Sequence, residues 1–149
     1  MFKTHAAFGF LAGIFAVSYL NPANQILFMF LVMLGAMLPD IDHPKSKLGS
    51  KIKIIGYLFE HRGFFHSFLA IPLLAFLIYY FTSSYVYALP LAIGYASHLL
   101  SDVITKEGIM PLHPFTKWRI RGFVKTGGAW EYLMFLFVVV IAAYRTISL

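Results

Sequence analysis

The chain has 149 residues, one domain's worth, of which 60% are hydrophobic, 18% aromatic and only 12% charged. Soluble domains carry roughly twice that charge fraction, so composition excludes an ordinary soluble enzyme and points to an integral membrane protein. The net charge of +6 does not indicate a nucleic-acid partner, because the basic residues gather in two loops between apolar runs, as cytoplasmic loops facing anionic lipid do.

His5 stands just before the first apolar run, residues 6–20. Lys3 and that run give the N-terminus some likeness to a signal peptide, with Ala16-Val17-Ser18 resembling a cleavage site. A short first span within a consistent topology is the reading adopted. Asn21-Pro22-Ala23 has turn chemistry and joins it to a second run, residues 24–38. Pro39 should stop that helix, and Pro44 biases His43 toward extended backbone. In an extended stretch Asp40 and Asp42, two apart, point the same way. Lys45, Lys47, Lys51, Lys53 and Arg62 make the connection 39–66 basic, and its 51–59 stretch has the composition of a short interfacial helix.

Glu60-His61-Arg62-Gly63-Phe64-Phe65-His66-Ser67 leads into the third run, residues 67–81, with Gly63 suited to a turn and Ser67 to a helix cap. Thr82-Ser83-Ser84 is a second tight connection, before a fourth run at 85–100. Pro72 and Pro90 fall inside the third and fourth runs and predict kinks there. His98 and Asp102 are four apart at the end of the fourth helix and so share a face. The connection 103–128 carries Lys106, Lys117, Arg119, Arg121 and Lys125, and Glu131 lies early in the fifth run, residues 129–143.

Each run is slightly short of the ~20 residues that cross a hydrocarbon core, a mismatch that helix extension or local thinning absorbs. The reading is an all-α polytopic membrane protein of about five transmembrane helices, a single domain over 1–149. The positive-inside rule puts both basic loops and the N-terminus in the cytoplasm and the C-terminus outside. His5, Asp40, Asp42, His61, His66, His98 and Asp102 then share the cytoplasmic face. Ionisable groups beside lipid are costly and need partners or a function. With no cysteine in the chain, a metal would take imidazole and carboxylate donors, which suit Zn²⁺, Mn²⁺ or Fe²⁺, and the donors suffice for one or two ions. Individually these residues also fit loop acids, helix-end histidines or contacts with headgroups.

Taken in order, Pro39-Asp40-Ile41-Asp42-His43-Pro44, His61-Arg62-Gly63-Phe64-Phe65-His66-Ser67 and Gly94-Tyr95-Ala96-Ser97-His98-Leu99-Leu100-Ser101-Asp102, followed by Thr105 and Pro114-Phe115, resemble the YdjM-like family. That family is described as LexA-regulated, membrane-bound metal-dependent hydrolases of bacteria and archaea. The resemblance spans nearly the whole chain, His5 included, and implies a His/Asp metal centre on a helical membrane protein without naming a substrate. Phe65 stands where a small polar residue such as Thr is expected, which alters the pocket lining and leaves the ligands intact.

The expected metal ligands are His5, Asp40, Asp42, His66, His98 and Asp102, with Zn the first choice of divalent ion. His61, as ligand or proton shuttle, and Arg62, as stabiliser of charge on a phosphoryl or acyl oxygen, are the expected catalytic residues. Lys117, Arg119 and Arg121 either assist Arg62 or simply anchor the loop. Residues 110–115 form a lid or a rigid loop. The expected substrate is a phospholipid-like ester or phosphoester with its tail in the bilayer; membrane lipid is the expected partner, and oligomeric state is left open. Two alternatives stand beside this: an ion- or proton-coupled transporter, and a scaffold stapled by metal.

Overall fold

A computed structural model describes residues 1–42 and 62–148. His43, the lysines at 45, 47, 51 and 53, the 51–59 stretch, Glu60 and His61 lie outside the described residues. The described residues form five α-helices: α1 Phe2–Leu20, α2 Gln25–Gly35, α3 Ala70–Thr82, α4 Tyr85–Val103 and α5 Ala129–Ile147. Among the described residues there is no β-strand, only two isolated bridges in the loop after α4. Two 3₁₀ turns, Pro39–Asp42 and Phe64–His66, flank the connection between α2 and α3.

The two short connections form as their residue types dictate. Asn21 ends α1 in the left-handed region, and the Asn24 side chain caps α2 by accepting from the Leu27 N–H at 2.9 Å. Ser83 ends α3 in the same way, and Ser84 caps α4. α4 is the central helix, packed against α1, α2 and α3, while α5 packs on α1. The α2–α4 seam is drawn close by two glycines. A Cβ on Gly35 would run into the Leu91 carbonyl, and one on Gly94 into the Val32 carbonyl and, at 2.7 Å, the Ala36 nitrogen. Such small-residue contacts let helices in lipid approach backbone to backbone.

Several local expectations change. Asp40 and Asp42 lie on a 3₁₀ turn, not an extended stretch, because the chain keeps turning after α2 through Ile41 N–H to Leu38 O, at 3.1 Å. α3 begins at Ala70, preceded by Leu69 in the cap position. The Ser67 hydroxyl is used by the preceding turn, donating to Phe64 O at 2.8 Å. Pro72 is therefore in the first turn of α3, where a missing N–H costs nothing; Pro90 is inside α4 and buried. The left-handed residue at the second turn is Arg62, φ 60°, while Gly63 has φ −86°.

Among the described residues, length and apolarity together qualify two segments to cross a membrane, Gln25–Asp42 and Ala129–Ile147; Ala70–Thr82 is apolar but has 13 residues. α1 and α4 are 19 residues each and carry buried polar residues, Thr4 and His5 in one and Ser97, His98, Ser101 and Asp102 in the other; of these, His5, His98, Ser101 and Asp102 belong to the site. The helices turn large apolar side chains outward, among them Phe30, Phe76, Phe81, Phe137, Val140 and Tyr144. A helix apolar on its outer face as well as its packed face suits a hydrocarbon surrounding.

Candidate metal centre

The end of the bundle that holds the α1 N-terminus, the α4 C-terminus and both 3₁₀ turns collects most of the chain's chemistry. His5, Asp42, His66, His98 and Asp102 are all buried there, and Asp40 is partly exposed. Asp102 is the hub. Its Oδ2 lies 3.4 Å from His66 Nε2 and 3.5 Å from His98 Nε2; its Oδ1 lies 3.7 Å from His5 Nε2 and 3.2 Å from Arg62 Nη2. Asp40 Oδ1 is 3.9 Å from His98 Nε2.

Each imidazole is held from behind. His98 Nδ1 is 2.8 Å from the Ala36 carbonyl, which only accepts, so Nδ1 carries a proton. His66 Nδ1 donates in the same way to Asp42 Oδ2 at 3.2 Å. His5 Nδ1 meets Ser101 Oγ at 2.6 Å; that hydroxyl already donates to His98 O at 2.8 Å, so it accepts from His5. Three rings thus spend Nδ1–H on an outer partner and direct Nε2 at one carboxylate. This is the arrangement that fixes tautomer and orientation in metal-ligating histidines. His5 and His98 stack with centroids 3.8 Å apart, too close for two cations. Burial holds His66 below the usual imidazole range, against the opposing pull of its bond to Asp42.

The Nε2–carboxylate distances are too long for charge-assisted hydrogen bonds, which run about 2.7–2.9 Å. Those from His66 and His98 to Asp102, 3.4 and 3.5 Å, match instead the ~3.4 Å that separates two donors on one tetrahedral ion with bonds near 2.0–2.1 Å. Among the described residues His98 Nε2 and Asp102 Oδ2 are buried with no hydrogen bond, a costly state without a cation between them. His66, His98 and Asp102 form one group with donors within 4.8 Å of one another, and His5, Asp40 and His98 form another. Both share His98.

Two expected residues sit differently. Asp42 stands behind His66, its Oδ2 also accepting the Arg62 backbone N–H at 3.1 Å, and belongs to neither donor group. Arg62 has its guanidinium engaged: Nη1 donates to Gly108 O at 2.9 Å and Thr105 Oγ1 at 3.3 Å, Nη2 to Asp102 Oδ1. These bonds hold its left-handed backbone in place. His61 lies outside the described residues. Met110 and Pro111 are buried, and the Pro111 carbonyl accepts from Phe68 N–H at 2.9 Å, so the start of 110–115 is a fixed loop.

The outer partners were harder to foresee. Ser101 was legible only as part of the His98–Asp102 motif, and the Ala36 carbonyl has no side-chain signature at all. Tyr95 anchors the turn bearing His66 by donating to Phe65 O at 2.6 Å; its place one turn before Leu99 on the buried face of α4 was the available signal. Glu131 binds the α1 N-terminus instead of the metal group, accepting from Thr4 Oγ1 at 2.8 Å and from Gly127 N–H at 2.6 Å.

The sequence matches the family described as YdjM inner membrane protein over residues 1–149. It is 36% identical over 141 residues to YvsG of Bacillus subtilis (strain 168), covering 89% of this chain and 85% of that protein. It is 41% identical over 100 residues to the inner membrane protein YdjM of Escherichia coli (strain K12) and likewise to that of Shigella flexneri, covering 60% of this chain. The match spans half the length of each of those two proteins. No solved structure matches the chain. The chain belongs to the YdjM family of inner membrane proteins.

Proposed function

We propose that this is a five-span inner-membrane hydrolase that uses one divalent ion, with zinc the best fit, to cleave a lipid-linked ester or phosphoester at the cytoplasmic face. The observation that carries the reading is the convergence of three imidazole Nε2 atoms on Asp102, each ring fixed from behind by a hydrogen-bond acceptor. His66, His98 and Asp102 would hold the ion, with His5, from the neighbouring group that shares His98, as the fourth ligand; a divalent cation there would supply Lewis acidity and bring the ionisation of water from pKa ~15.7 toward ~7.

The chain's own groups then have distinct tasks. Asp40 is the partly exposed carboxylate beside His98, so it takes the proton from water as general base. Asp42 and Ser101 orient His66 and His5. Arg62 fixes Asp102 and offsets its charge, acting on the reaction through that carboxylate, and His61 remains the candidate proton shuttle. The bundle's lipid-facing surface accommodates the substrate's tail while the ester reaches the polar end.

A second reading has one observation in its favour: the four proposed ligands are buried, as in a closed structural site that staples helices. Asp40 separates the two. Asp40→Asn should retain metal and lose hydrolysis of detergent-solubilised phospholipid or phosphoester panels if the protein is an enzyme. Wild-type protein that binds metal stoichiometrically and releases no product across ester and phosphoester panels would favour the staple. Flux of Zn²⁺, Mn²⁺ or protons into liposomes, abolished by His98→Ala, would favour transport instead.

A further inference from the structure

The loop between α4 and α5 shows a surface that the metal chemistry does not use. Its inner side is tied down: Lys106 N–H donates to Val124 O at 2.9 Å, Gly122 N–H to Thr105 O at 2.8 Å, and Ile109 and Ile120 exchange two bonds at 3.0 Å. Ile109 and Val124 are buried against this frame. The outer side is apolar and aromatic. Leu112, Phe115, Trp118 and Phe123 are exposed, Phe115 by 84% and Phe123 by 72%. Lys117, Arg119 and Arg121 alternate with them in sequence, and Arg119 keeps one guanidinium bond to the Glu107 carbonyl, at 3.0 Å. Phe68 and Trp130, beside the loop's contact with α3 and at the start of α5, are also exposed.

A folded loop has no reason to hold four large apolar side chains in water. Aromatic rings alternating with cations match the boundary of a bilayer, where rings sit at headgroup depth and cations meet lipid phosphate. The loop continues directly from helices of an inner-membrane family, at the same end as the metal group, so its outer side lies at that boundary.

We infer that residues 112–123 form an anionic-lipid anchor, with Phe115, Trp118 and Phe123 among the headgroups and Lys117, Arg119 and Arg121 gripping lipid phosphate. The inference rests on the chain lying in a membrane and is independent of hydrolysis. The anchor fixes the depth of the α4 C-terminus, and with it Asp102.

Trp118 and Trp130 are the chain's two tryptophans, so Trp130→Phe leaves Trp118 as sole reporter in the full-length protein. In nanodiscs, Trp118 emission should be quenched by lipids brominated near the headgroup and shielded from aqueous acrylamide. In native mass spectrometry the protein should retain phosphatidylglycerol over phosphatidylcholine. The double variant K117Q/R121Q should weaken that retention by roughly fivefold per cation. Trp118 open to acrylamide and unquenched by brominated lipid would overturn the proposal, as would equal retention of the two lipids.

Discussion

Ser101 offers a sharp test of how the candidate centre is organised. Its hydroxyl donates to His98 O and accepts from His5 Nδ1–H, so Ser101→Ala leaves a buried imidazole N–H unsatisfied. That costs about 1–3 kcal/mol, and His5 can relieve the cost by moving its proton to Nε2, the nitrogen needed for the metal. Loss of an orienting partner behind a metal-ligating histidine typically lowers affinity by about 10–100-fold. Ser97→Ala is the control: Ser97 is also buried on α4 and donates to Gly94 O at 2.7 Å, but no imidazole bond to it appears among the described contacts. Zn²⁺ competition titration against a chromophoric chelator in detergent should show the loss for Ser101→Ala and none for Ser97→Ala. Equal affinity in Ser101→Ala and wild type, or equal losses in both variants, would refute the assignment of roles around His5.

Gly94→Ala should lower both metal content and thermal stability, by about 1–3 kcal/mol, because its methyl group would push α4 away from Val32 and take His98 from Ala36 O; metal analysis and thermal unfolding check this. Tyr95→Phe removes the hydroxyl that donates to the half-buried Phe65 carbonyl, for a loss of about 1 kcal/mol, and should loosen the turn that carries His66, read as a lower unfolding temperature. Arg62→Lys keeps the charge but cannot reach Asp102, Thr105 and Gly108 together; reduced metal occupancy with unchanged membrane insertion is the expected result. Chelation should destabilise wild-type protein relative to protein held at a hundred times the dissociation constant, by about 2.7 kcal/mol, and should leave His98→Ala unmoved.

The five described helices were legible because apolar runs mark them and Asn, Ser and Gly punctuate their ends. The gathering of polar residues at one end was also legible, since alternate helices return to the same side. Local backbone was harder. The spacing of Asp40 and Asp42 suggested an extended pair, but the chain after α2 continues as a 3₁₀ turn and puts Asp42 behind His66. Ser67 has the chemistry of a cap and is used one turn earlier. Two expected spans, α1 and α4, also carry residues of the site. The orienting contacts were the least legible part: they depend on the Ala36 and His98 carbonyls, whose positions follow from the Gly35–Gly94 crossing and from helix register.

The most direct measurement is metal analysis of the purified, detergent-solubilised protein, combined with X-ray absorption at the edge of whichever metal is found. The account predicts one divalent ion per chain in a nitrogen–oxygen shell with the scattering signature of about three imidazoles, lost in His98→Ala and Asp102→Ala. Protein that purifies and can be reconstituted only without bound metal, or that keeps a full complement after both substitutions, would contradict it.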